Sequence, residues 1–246
     1  MDTEKPWTAF YGTSVRAEID APAFRNLGDF ISATAKTFGK APAFTTCLPN
    51  GMNGTLTFAH ADAMSDALAV YLREVAGLNM GDRVAIQVPN CLAYPVMAMA
   101  IFKAGCVLVN VNPLYTAEEM AKQFADAEPA AILVVDMFAD KLAEAVQDYP
   151  IDNVIVTRVA EFMPALPRWI VGMVQKHWDK TIQPITIPHV RLPEAIAVGR
   201  AKQAALGAPV EDYRSGVQPD DIACLQYTGG TTGVSKGAML SHANLL

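Results

Sequence analysis

Apolar positions in this chain recur first at helical spacing and then in short strand-like runs. The pattern predicts a helix over residues 26–38, in a stretch broken by prolines at 6, 22, 42 and 49. Residues 43–47 and 55–58 read as extended pieces, separated by the turn-forming string Asn50-Gly51-Met52-Asn53-Gly54. A helix over 59–76 follows, with Ala63, Ala67, Val70 and Tyr71 near one face. Gly77 fits its C-terminal cap, where a residue without Cβ takes positive φ at little cost.

The clearest rhythm spans 83–157. Strand-like runs at 83–88, 106–111, 131–135 and 153–157 alternate with helical stretches at 92–103, 116–127 and 138–147. Thr116 and Glu119 have the spacing of a capping box, which satisfies two backbone N–H groups at a helix start. This alternation predicts βαβ units, a largely parallel sheet and the α/β class. The turns after the first two runs, Pro89-Asn90 and Asn112-Pro113, lack the G-x-G-x-x-G string that admits a dinucleotide pyrophosphate. A nicotinamide or flavin site is therefore not expected.

Between 161 and 193 the rhythm fails, with prolines at 164, 167, 184, 188 and 193. Inside it, residues 169–178 form an amphipathic helical pattern at about 100° per residue. Trp169, Ile170, Val171, Met173, Val174 and Trp178 share one broad arc, with Arg168, Lys176 and Lys180 nearby. The commoner fate of such an arc, and the one favoured here, is packing on the domain. The other is contact with a membrane interface through 168–180.

Composition narrows the functional classes. Hydrophobic residues make up 52% of 246 and charged residues 18%, enough for a substantial core. A net charge of −6 argues against a general nucleic-acid surface. The most apolar stretch, 92–109, has Lys103 as its one charge and contains Pro95 and Gly105, which fits a buried helix and strand better than a membrane span. Cys47, Cys91, Cys106 and Cys224 form no C-x-x-C pair and read as reduced thiols. The polar start is no secretory signal, so a cytoplasmic location is expected. His60, His177, His189 and His242 have no metal-ligand spacing. His242 is close in sequence to the feature that follows, at the start of a helix whose N-cap is Ser241.

That feature is Tyr227-Thr228-Gly229-Gly230-Thr231-Thr232-Gly233-Val234-Ser235-Lys236-Gly237, entered from a strand-like run at 222–227. Gly229, Gly230 and Gly233 let the backbone turn its N–H groups toward an anion. Thr228, Thr231 and Thr232 add hydroxyls and Lys236 a positive charge, a set suited to a triphosphate or pyrophosphate. It is not a Walker A loop, because Lys236 follows Ser235 and precedes Gly237 instead of standing in Gly-Lys-[Ser/Thr] at a helix start.

The loop resembles the signature of the adenylate-forming superfamily: acyl-CoA synthetases, luciferases and peptide-synthetase adenylation domains. Leu56-Thr-Phe-Ala-His-Ala-Asp-Ala-Met64 and residues 102–115 are similar to two further family segments in the same order. Gly81-Asp-Arg-Val-Ala-Ile86, Asn110-Val-Asn-Pro-Leu-Tyr115 and the string 225–240 are especially similar to bacterial long-chain-fatty-acid–CoA ligases. Gly230 stands where many relatives have serine, and Ser235 where many have proline.

The resemblance implies parallel-sheet βαβ layers of the N-terminal domain of an adenylate-forming enzyme. It implies ATP, Mg²⁺ and CoA as partners of a fatty acid, with Thr228, Gly229, Gly230, Thr231, Thr232, Gly233 and Lys236 on the ATP phosphates. Thr228 would also meet Mg²⁺. A homodimer and peripheral contact with the inner face of the membrane are further expectations. The chain divides into an irregular segment at 1–50, a βαβ region at 51–160, an amphipathic insertion at 161–193 and the loop-bearing segment at 194–246. The family's adenine, ribose and acyl-pocket motifs and its mobile C-terminal domain are expected beyond residue 246, so these residues alone are expected to be inactive. A ligase for another acid and a non-catalytic remnant are the alternatives.

Overall fold

The computed structural model describes residues 5–16, 18, 23–48, 50–175, 184–207, 209–228 and 236–246. From the amino end, α1 (Leu27–Phe38) leads into β1 (Pro42–Cys47) and β2 (Asn53–Thr57), then α2 (Phe58–Glu74). The regular alternation follows as β3 (Arg83–Gln87), α3 (Ala93–Lys103), β4 (Val107–Asn110), α4 (Ala117–Ala127), β5 (Ala131–Val135), α5 (Ala139–Asp148) and β6 (Asn153–Thr157). After α6 (Ala165–Met173) come β7 (Val190–Arg191), α7 (Leu192–Leu206), β8 (Ile222–Thr228), β9 (Lys236–Ser241) and α8 (His242–Leu245).

Local chemistry sets many of these boundaries. The Asn26 side chain accepts from the Asp29 N–H at 2.9 Å and starts α1. The expected capping box is formed at α4: the Glu119 N–H donates to Thr116 Oγ1, and the Thr116 N–H donates to the Glu119 carboxylate at 2.8 Å. Gly77 takes the positive φ expected after α2, at 73°. Phe58, expected to end a strand, instead begins α2 because the Thr57 side chain caps that helix.

β1 and β2 form a separate antiparallel pair. The other strands form one sheet in the order β7-β6-β5-β3-β4-β8-β9, parallel except where β9 runs antiparallel to β8. Alternate side chains of each strand enter different cores. Val84, Ile86, Leu108, Leu133 and Ile155 pack with α2, α3 and α7, whereas Ala85, Val109, Ile132, Val134 and Val156 pack with α4 and α5. Both faces are therefore covered, which is what parallel strands require. The order reverses between β3 and β5, and in open parallel sheets ligands bind outside the carboxyl ends of the strands near such a reversal.

Lys103, the charge inside the apolar stretch, is fully buried. Its Nζ meets Asp62 Oδ1 at 2.5 Å and Asp66 Oδ1 at 2.6 Å, so it ties α3 to α2. Burial raises the Asp66 pKa, and Lys103 pulls it back down.

The insertion at 161–193 departs from the favoured expectation. Its helix begins earlier, at Ala165, and residues 176–183, with Trp178, lie outside the described part. In the part described, α6 buries none of its residues. Leu166, Trp169, Met173 and Val174 are exposed and Ile170 and Val171 half-buried, so the arc does not pack into either core. β7, α7 and β9 are additions to the elements read from the sequence.

Candidate phosphate-binding site

The Gly/Thr-rich segment joins β8 to β9 at the carboxyl end of β8. Thr228 ends β8, Lys236 begins β9, and the two are paired across the ladder. Of the seven candidate phosphate-binding residues, the structure thus brings Thr228 and Lys236 together at the mouth of a hairpin. Gly229, Gly230, Thr231, Thr232 and Gly233 lie outside the described residues.

The mouth is supported by polar contacts from three other elements. The Tyr227 hydroxyl donates to Asp126 Oδ2 of α4 at 2.5 Å. Burial and the neighbouring carboxylate push the Tyr227 pKa well up, so the phenol stays protonated and remains a donor. On the other face of the sheet, the Tyr94 hydroxyl donates to Asn110 Oδ1 at 2.9 Å, and Asn110 Nδ2 donates to Gln226 Oε1 at 2.7 Å. Gln123 of α4 donates to the Asn110 carbonyl at 2.9 Å. The ends of β4 and β8 are thereby fastened to α3 and α4. Tyr94, near the start of α3, thus belongs to this network. Asp126, Gln123 and Gln226 went unnoticed in the sequence, where they look like ordinary polar residues.

Further along the same edge, Asp136 follows β5 and is buried. Arg158 Nε and Arg191 Nη1 each stand 3.9 Å from its Oδ2, past hydrogen-bond range. Burial raises the Asp136 pKa, and Arg191 and Arg158 oppose that shift. The group reads as an ion cluster joining the ends of β5, β6 and β7.

His242 is remote from the hairpin mouth. It follows β9 at the end opposite Lys236, about 20 Å away at 3.3 Å per strand residue. Its Nδ1 accepts from the Leu27 N–H at 3.2 Å and its ring packs edge-on to Phe102. Burial lowers its pKa, against the pull of Asp221 and Asp29, so the neutral ring that accepts from Leu27 is favoured. Its role is to hold α1 to the base of the hairpin. Burial likewise pushes the thiols of Cys224 up to about 11 and Cys106 up to about 12, which keeps both protonated and poor nucleophiles. Among the described residues no group of three or more His, Cys, Asp or Glu side chains could hold a metal ion. No helix among them is long and apolar enough to cross a membrane.

A mostly parallel sheet covered on both faces, with a Gly/Thr-rich segment joining its last two strands at the carboxyl edge, places the chain in the α/β class. The family model for AMP-binding enzymes matches residues 31–246, and the chain belongs to that family. Its curated relatives include the long-chain-fatty-acid–CoA ligase of Salmonella typhimurium, 37% identical over 243 residues, which are 99% of this chain and 41% of the relative. The long-chain-fatty-acid–CoA ligase of Bacillus subtilis is 32% identical over 253 residues, covering 100% of this chain and 41% of its own length. The chain therefore spans about two fifths of the length of these relatives (41%). Among solved structures, a long-chain-fatty-acid-CoA ligase from Archaeoglobus fulgidus superposes with a TM-score of 0.66 at 22% identity, over 93% of this chain and 39% of that one. An anthranilate CoA ligase in complex with anthranoyl-AMP gives 0.67 at 16% identity, over 90% and 36%. At these identities the two structures establish the shared fold, and the identification rests on the family match.

Proposed function

We propose that this chain supplies the phosphate-binding part of an ATP-dependent fatty acid–CoA ligase. The observation that carries the reading is the pairing of Thr228 with Lys236 across the mouth of the Gly/Thr-rich hairpin. It is supported by long-chain-fatty-acid–CoA ligase relatives that align with nearly the whole chain. In the proposed reaction a fatty carboxylate oxygen attacks the α-phosphorus of ATP, the bond to the β-phosphate bridging oxygen breaks, and pyrophosphate leaves. The CoA thiolate then attacks the acyl carbonyl carbon and AMP departs with its phosphate oxygen. Charge gathers on the pyrophosphate as it leaves, so fixed donors placed there lower the barrier. Thr228, Gly229, Gly230, Thr231, Thr232 and Gly233 would offer hydroxyl and backbone N–H donors to the β- and γ-phosphates, with Lys236 adding a positive charge.

Mg²⁺ fits this reading as an ion held chiefly by phosphate oxygens, with the Thr228 hydroxyl as one protein ligand. When bound it would neutralise phosphate charge. The exposed apolar face of α6, with Arg168 beside it, supports peripheral contact with an anionic membrane surface, where a fatty acid would be met.

Fatty-acid-dependent ATP–pyrophosphate exchange, measured on the full-length protein, tests the reaction. Exchange with hexadecanoate and not with benzoate is expected. Exchange with aryl or short acids alone would reassign the acid, and no exchange with any acid would sink the ligase reading.

A further inference from the structure

Strand β9 poses a problem of register. It lies at the edge of the sheet, pairs only with β8 among the described strands, and buries none of its side chains. Register in a strand pair is normally pinned by a buried face, since a one-residue slip would turn that face to solvent. Here β9 meets the core at its far end, through half-buried Leu240 and the buried His242 that follows, so the constraint is weakest at the mouth, where a slip would carry Lys236 away from Thr228.

The structure places one specific lock at this point. Tyr227, the last buried residue before the loop, lies directly opposite Gly237. Its ring passes over that glycine so closely that a Cβ there would stand 2.9 Å from Cζ and 3.1 Å from Cε2. The hydroxyl beyond Gly237 then reaches Asp126. Asp126 sits on a well-fixed support: α4 is capped by Thr116 and Glu119 and buries Met120, Phe124 and Ala127 in the core beneath the sheet. The same helix holds the end of β4 through Gln123. A single helix is thus bonded to the end of β4 and, through the tyrosine, to the hairpin that carries the loop.

We infer that Asp126 and Tyr227 are positioning residues for the phosphate loop, setting the β8–β9 register that keeps Lys236 opposite Thr228. Neither need touch the nucleotide. Their effect on ATP rests on the ligase reading above, but their effect on the hairpin does not.

The test compares Asp126→Ala, Tyr227→Phe and Asp126→Asn, the last keeping an acceptor oxygen. Amide hydrogen exchange on the 246-residue chain reads the hairpin directly. Peptides covering 225–228 and 236–239 should exchange faster in Asp126→Ala and Tyr227→Phe than in the wild type, and Asp126→Asn should recover most of the protection. Steady-state exchange kinetics on the full-length protein read the consequence. The KM for ATP should rise severalfold, up to about tenfold if the whole of the lost bond is felt in the placing of Lys236, with the KM for fatty acid changed less than about twofold. A merely structural bond would move both constants together with the melting temperature, and that result would overturn the inference. So would unchanged amide exchange in the hairpin. If the wild-type enzyme shows no fatty-acid-dependent exchange, the ligase reading fails, and the amide measurement alone decides whether the lock exists.

Discussion

Helices α4 and α6 are similar in sequence character and opposite in fate. Each carries a defined apolar stripe beside a polar face. In α4 the stripe enters a core, where Met120 and Phe124 are fully buried, and neighbouring Gln123 and Asp126 bond to strand ends. In α6 the stripe stays outside: Trp169 is 63% exposed and Leu166 66%, so nothing among the described residues covers them. Periodicity thus reports which side of a helix is apolar and leaves open what that side will meet. α4 is flanked by parallel strands and cannot avoid the sheet. α6 lies in the long, proline-interrupted crossover from β6 to the two-residue strand β7, which has slack enough that the helix is not drawn onto the sheet.

Three substitutions probe this contrast. Phe124→Ala should be the most damaging, costing about 3–5 kcal/mol by opening a cavity under the sheet. Chemical denaturation checks it, and a cost below about 1 kcal/mol would mean that α4 is not anchored as described. Thr116→Ala should cost about 1 kcal/mol through loss of the cap, with the amides at the start of α4 exchanging faster. Trp169→Glu should leave stability within about 0.5 kcal/mol, as for surface positions generally. It should nevertheless abolish co-sedimentation with vesicles containing anionic phospholipid. Equal sedimentation of wild type and variant would count against α6 as the membrane contact.

The sequence revealed the central sheet well, for a physical reason. β5 and β6 are uninterrupted β-branched and apolar runs because parallel strands are buried on both faces, and their observed limits agree with those read from the sequence. α7 was harder to see because Gly199 lies in its interior, a residue that usually weakens a helix. The structure explains that glycine: a Cβ there would collide with the Ala67 carbonyl, so α7 packs directly on the backbone of α2. β9 carries no alternation of buried and exposed residues; it is a strand only because β8 offers it a ladder.

The candidate site divides in the same way. Its Gly/Thr-rich loop is legible because anion-binding backbone requires residues that are rare elsewhere in such density. Its support is not, because Asp126 stands 101 residues before Tyr227 and nothing local marks the pair. His242 shows the limit of proximity in sequence: it begins α8 after the Ser241 cap, as its sequence context indicates, while an extended strand sets it at the far end of the hairpin from Lys236.

The claim on which the account depends is that the hairpin mouth grips the phosphates of ATP. The measurement that bears on it most directly is the KM for ATP of Lys236→Met in fatty-acid-dependent ATP–pyrophosphate exchange by the full-length protein. Lys236 is exposed, so the fold should survive and the melting temperature should hold. Loss of a charge-assisted contact to phosphate predicts a KM for ATP raised about 10- to 100-fold. A KM equal to that of the wild type, in a folded variant, would contradict the account.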